Sequence, residues 1–181
     1  NLIINGFNNI EKLKKNQIGF SNNLIKKTCI LITNIKNKTS NQTIIISKSP
    51  RFDFCRAIQI FKKKKLIIKE KLINNISKSA DVKGVIDGFN ISIGNNTVIE
   101  KNAVIKSNVK IGNNCIVRSG AIIGGDGFGF AKNKNKIVRF DHWGGVEIKN
   151  NVEIGYNSCV DCGALSDTKI ETNTKLDNHV H

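Results

Sequence analysis

The chain has 181 residues, 29 Lys and Arg against 14 Asp and Glu, a formal net charge of +15 and a pI near 9.8. That length holds one domain, or a small domain joined to a repeat array. The basic balance invites a nucleic-acid partner, but only four of the cations are Arg (Arg51, Arg56, Arg118, Arg139) and aromatics make up 6%. Base readout leans on bidentate Arg and strand binding on stacked aromatics. Lys, Asn and Ile are over-used together, as an A/T-rich genome produces without selection, so no nucleic-acid partner is expected. Five cysteines (Cys29, Cys55, Cys115, Cys159, Cys162) lack framework spacing and suit a reducing, cytoplasmic compartment. The single CxxC, Cys159 and Cys162, lacks the second pair or histidines that zinc usually takes. No apolar run reaches membrane-spanning length, and no signal peptide is visible. With no Met and Asn1 first, the chain reads as a fragment of a longer protein.

Residues 1–75 read as a small α/β domain. Strand-like apolar runs fall at 29–33 and 44–47, and Pro50 opens a helix expected over 51–61, since Pro is pre-organised for a first helical turn. The run Lys62 to Lys65 then supplies cations at the helix C-terminus.

Residues 76–181 carry a different signal. From Ile93 an aliphatic residue recurs every six positions: Ile93, Ile99, Ile105, Ile111, Val117 and Ile123. Smaller partners follow each of the first five by four positions (Thr97, Ala103, Val109, Cys115, Ala121), and Gly-Asn or Ser-Gly turns fill the gaps. After an interruption at about 129–147 the pattern returns at Ile148, Ile154 and Val160. A four-residue slip follows, then hexads open at Ile170 and Leu176. Six fits neither a helical period nor a simple two-residue alternation. It fits a chain that turns a corner every six residues, three sides per coil, with coils stacked at strand spacing. The expected fold is therefore an α+β N-terminal domain followed by an all-β parallel β-helix.

The hexads are similar to those of the hexapeptide-repeat acyltransferases, whose β-helices are left-handed. Two segments narrow the resemblance: Ser119-Gly-Ala-Ile-Ile-Gly-Gly-Asp-Gly-Phe-Gly-Phe-Ala131, and the stretch from Gly144 through Val160-Asp-Cys-Gly-Ala-Leu-Ser-Asp-Thr168 to Leu176-Asp-Asn178. Their order and spacing resemble the UDP-3-O-acylglucosamine N-acyltransferase family of lipid A biosynthesis. The phrases 16–23 and 49–57 are similar to that family's uridine-binding domain. Cys162 stands where the family has Arg, Ser166 where it usually has Asp, and Ile25 and Lys26 where it supplies Tyr.

This resemblance implies an N-acyltransferase that moves a 3-hydroxyacyl chain from acyl carrier protein to the 2-amine of a UDP-3-O-acyl-glucosamine. It implies a homotrimer and no metal or redox cofactor. Phe20 and Asn23 match residues that contact uracil, and Asp177 and Asn178 match residues near the acyl-sugar. The family's base is a histidine in a phrase whose first five positions are Asp177 to His181. It would fall three residues after His181, so no catalytic residue is assigned within the chain, and the fragment is expected to be inactive. His179 and His181 read as ordinary coil positions. Two alternatives remain: another hexapeptide acyltransferase, of the UDP-GlcNAc O-acyltransferase type, or a non-enzymatic or zinc-binding β-helix. Zinc would need a third ligand beside His179 and His181, and His142 lies in the interruption.

Overall fold

The computed structural model describes residues 6–8, 11–22, 29–36, 43–66 and 72–181. The chain forms two compact units, one of residues 1–69 with 128–141 and one of residues 70–127 with 142–181. The segment that interrupts the repeat thus contributes a hairpin to the first unit.

In the first unit four parallel strands, β1 (Gly6–Phe7), β2 (Gln17–Ser21), β3 (Ile30–Thr33) and β4 (Thr43–Ile46), form one sheet in sequence order. The central β3 is buried at all four residues, as its unbroken apolar run requires of a strand covered on both faces. Helix α1 (Pro50–Lys63) begins at the proline and ends in Lys62 and Lys63, where cations meet the negative end of the helix dipole. At its start Asp53 accepts a 2.6 Å hydrogen bond from the Ser47 hydroxyl. The core is aromatic. Phe54 is fully buried, and its ring lies 5.6 Å from Phe7, 4.9 Å from Phe20 and 5.9 Å from Phe140. Burial also pushes the Cys55 thiol up to about 11, which keeps it an inert packing residue.

The antiparallel hairpin of this unit runs Phe130–Asn133 and Lys136–Arg139. The Gln59 side chain donates to the Arg139 carbonyl at 3.1 Å, and Lys62 meets Asp141 at 3.3 Å.

The second unit is a parallel β-helix of three sheets, two of five strands and one of four. From Ile93 onward its inward columns are the predicted hexad residues, and one earlier coil, with Val82, Ile86 and the exposed Ile76, extends them. One runs Ile76, Ile93, Ile111, Ile148, Ile170; the next Val82, Ile99, Val117, Ile154, Leu176; the third Ile86, Ile105, Ile123, Val160. Stiff β-branched side chains stack in these columns with few rotamers to lose. The buried hydroxyls are satisfied twice over. Thr97 Oγ1 donates to the Gly112 carbonyl and accepts from the Cys115 N–H, and Ser158 Oγ treats the Asp177 carbonyl and Val180 N–H in the same way.

Coil equivalents lie 18 residues apart in the regular stretch. Three departures mark the ladder. The first coil is irregular, with strand partners 17 residues apart on two sides and 19 on the third, so the six-residue period is not legible there although the ladder already begins at Asn75. The hairpin excursion stretches one turn to 37, and the slip near Asp167 another to 22. Asp167 holds that slip in place by accepting from the Gly145 N–H at 2.7 Å. The helix resumes at Val146, which pairs with Val109, so Val146 and Glu147 belong to the ladder rather than to the excursion.

The corners divide two tasks between two positions. Asn90, Asn96, Asn102, Asn108, Asn114, Gly120, Asn151, Asn157, Asn173 and His179 all sit in the left-handed region, with φ between 54° and 77°. Asn, and to a lesser degree His, tolerates that conformation better than most residues. Codon bias alone therefore does not account for the Asn excess. Gly94 and Gly112, each just after an inward Ile, do something else: a Cβ on Gly94 would lie 2.6 Å from the Gly112 carbonyl, and one on Gly112 2.8 Å from that of Lys149. These glycines are required by the close approach of stacked backbones.

Candidate functional site

On one outward face of the β-helix, the column Glu100, Arg118, Gly155, Asp177 continues the ladder. Gly155 is fixed as glycine because a Cβ there would meet the Asp177 carbonyl at 2.6 Å. Lacking a side chain, it leaves a gap between Arg118 and Asp177. The gap is the floor of a groove of about 420 Å³ lined by Arg118, Glu153, Gly155, Tyr156, Lys175, Leu176, Asp177 and Asn178. Tight coil stacking thus produces a concavity.

The upper wall is an ion-pair clamp. Arg118 reaches Glu100 at 2.9 Å and Glu153 at 2.6 Å, and a second guanidinium N–H also bonds Glu153 at 2.9 Å. The other Glu100 oxygen accepts from the Ser119 N–H and hydroxyl. Hydrogen bonding to Arg118 holds the Glu100 carboxyl below its ordinary value, and the two glutamates push the Arg118 guanidinium up. The Arg118 charge is spent inside the protein, which leaves little of it for an anionic ligand. The same guanidinium lies 5.9 Å over the Tyr156 ring, which is 44% exposed.

The lower wall holds the two predicted acyl-sugar residues. Asp177 Oδ1 accepts from the Asn178 N–H at 2.7 Å, and Asn178 Oδ1 accepts from the Tyr156 N–H at 2.8 Å. Each side chain therefore has one oxygen tied to the coil. A second carboxylate oxygen on Asp177 and the amide NH₂ of Asn178 are the groups left to address a ligand. Lys175 donates to the Asn151 carbonyl at 3.1 Å. With an exposed ring, a carboxylate and an amide donor, the groove can hold a neutral polyol or an amine better than a dianion. Tyr156 was not singled out from the sequence; its place opposite Asn178 depends on the 22-residue turn.

The other candidates fall elsewhere. Phe20 is half-buried, 4.9 Å from Phe54 within the first unit, and Asn23 lies outside the described residues. His179 occupies a left-handed corner and donates its backbone N–H to Tyr156. His181 is exposed, 3.5 Å from Asp161. His142 Nδ1 lies 2.8 Å from the Cys162 carbonyl, an acceptor, so the proton sits on Nδ1. Among the described residues no group of three or more His, Cys, Asp or Glu is placed to hold a metal ion. No helix among them is long and apolar enough to cross a membrane.

Comparison with known proteins gives a consistent family signal. The family model for the bacterial transferase hexapeptide (six repeats) matches residues 90–125. The UDP-3-O-acylglucosamine N-acyltransferase of Hahella chejuensis is 56% identical over 62 residues, 34% of this chain and 18% of that protein. The enzyme of the same name from Pseudomonas syringae pv. tomato is 51% identical over 63 residues, 35% of this chain and 18% of its own length. That from Saccharophagus degradans is 54% identical over 63 residues, with the same coverage. The chain carries hexapeptide repeats and is similar over about a third of its length to these acyltransferases; the match spans 18% of each relative.

Proposed function

We propose that this chain is part of an N-acyltransferase that acylates the 2-amine of a UDP-3-O-acyl-glucosamine, with acyl carrier protein as donor and a homotrimer as the working form. The observation that carries the proposal is the groove over Gly155, which places Asp177 and Asn178 beside an exposed aromatic ring. The similar proteins support it, since each is named for this reaction.

In this reading the groove positions the sugar and the reacting atoms lie close by. Asp177 offers a carboxylate oxygen to the amine or a ring hydroxyl, and Asn178 offers its NH₂ to an oxygen. Both are held rigid by the coil bonds to the Asn178 and Tyr156 N–H groups, which reduces the ordering cost of binding. The amine must lose a proton as it attacks the thioester, and the resulting oxyanion needs N–H donors. The resemblance assigns the base to a histidine three residues after the position of His181. Phe20, with Asn23, is assigned to the uracil.

A chimera tests this: residues 1–181 joined to the remaining coils of the Hahella chejuensis enzyme, assayed for acyl transfer to UDP-3-O-acyl-glucosamine. Turnover is expected, with KM raised about tenfold or more by Asp177→Ala. A folded chimera that neither turns over nor binds the acyl-sugar nucleotide overturns the proposal.

A further inference from the structure

The excursion hairpin of the first unit presents a face that the groove and its chemistry do not use. Phe130 pairs with Arg139 and Lys132 with Ile137, and directly opposed residues share a face of a hairpin, as do alternate residues of one strand. One face therefore carries Phe130, Lys132, Ile137 and Arg139. The other carries Ala131, which is 5% exposed, Val138, half-buried, and at the turn Asn133 and Lys136. On the first face Ile137 is 66% and Phe130 40% exposed, and Phe128, just before the strand, is 86% exposed. The two rings meet edge to face at 5.0 Å, and the Arg139 guanidinium stands 5.8 Å over Phe130. Lys134, exposed in the turn itself, extends the positive charge.

We infer that this hairpin face docks on an anionic lipid surface, with Phe128 and Ile137 entering the headgroup–acyl boundary and Lys132, Lys134 and Arg139 meeting anionic headgroups. Exposed apolar side chains interleaved with cations match the chemistry of an interfacial anchor. A ring as exposed as Phe128 enters a fluid interface without a preformed pocket. Charge complementarity selects lipid over a second copy, which would bring the same cations face to face. Ile137 selects it over single-stranded nucleic acid, because an aliphatic side chain offers bases no stacking surface. The inference does not rest on the acyltransferase reading.

Flotation with vesicles of phosphatidylcholine alone, or with 30% phosphatidylglycerol, tests it on the 181-residue chain. The net charge of +15 attracts any anionic surface, so two matched variants separate the hairpin from the bulk. Phe128→Ser with Ile137→Ser keeps the charge and is expected to lower partitioning onto anionic vesicles about tenfold or more. Replacing Lys132 and Lys134 by Gln should lower it about thirtyfold, whereas the same change at Lys78 and Lys101 should cost far less. Circular dichroism confirms that each variant is folded. Equal binding by the serine variant, equal losses in the two lysine sets, no vesicle binding at all, or binding to an oligonucleotide or a second copy in place of vesicles would each overturn the inference.

Discussion

The division of labour at the β-helix corners predicts opposite responses to small substitutions at neighbouring motif positions. Asn102 has φ 66°, a conformation that costs an L-residue with a Cβ about 1–2 kcal/mol and glycine almost nothing. Asn102→Ala should therefore lose about 1 kcal/mol, while Asn102→Gly should stay within about 0.5 kcal/mol of the parent. At Gly112 the order reverses. An added Cβ would lie 2.8 Å from both the carbonyl carbon and oxygen of Lys149, which are backbone atoms and cannot rotate away. The stacked coils must separate locally, and overpacking of this kind costs about 1–3 kcal/mol; with the Asn150 side chain closer still, the upper end is expected. Urea unfolding followed by far-UV circular dichroism reads both. With a slope of about 1–3 kcal/mol per molar urea, Gly112→Ala should move the midpoint down by about 1 M or more and Asn102→Gly by only a few tenths. If Gly112→Ala proves as mild as Asn102→Gly, or if glycine at position 102 costs more than alanine, the two corner positions have been assigned the wrong tasks.

Three further outcomes follow from the same geometry. Ile99 is fully buried in the middle of its column, so Ile99→Ala should cost about 2–5 kcal/mol and Ile99→Val about 0.5–1.5 by the same titration. The Glu100 carboxyl is held low by Arg118, so its contribution is present above the unfolded carboxylate pKa and is lost as pH falls through the lower folded value. The urea midpoint should accordingly drop between pH 7 and pH 3, and Glu100→Gln should flatten that drop; an unchanged slope refutes the clamp. The 181-residue chain alone should show no N-acyl transfer, and His181→Ala should change nothing in the chimera; activity of the chain abolished by that substitution would reassign the base.

Much of the β-helix was legible in the sequence because its period is local. Each inward Ile or Val needs only its neighbour six residues on to declare a side of the prism, so Ile93 to Ile123, Ile148 to Val160, and even the slip before Ile170 could be placed in register. The groove was half legible. Asp177 and Asn178 were named through a resemblance, but Tyr156 and the Gly155 floor become partners only when one coil is laid on the next. That stacking joins residues 22 apart at a point where the regular offset is 18; the four-residue slip announces the offset, but the hexad pattern marks inward positions and does not say which outward side chains then meet.

The chain order of apolar and turn-forming residues by itself determined that residues from Ile93 onward wind into coils, because a six-residue repeat has no other way to bury its aliphatic positions. Tertiary structure decided what those coils do at their surface. It placed the hairpin Phe130–Arg139 with the first unit rather than with the repeat that flanks it in sequence, and made the Asn repeats into left-handed corners. It also engaged Arg118 between two glutamates that lie 18 and 35 residues away. The reason is physical: burial of an aliphatic side chain is set by its near neighbours along the chain, whereas the charge, exposure and hydrogen bonding of a surface group are set by whichever coil happens to lie beside it.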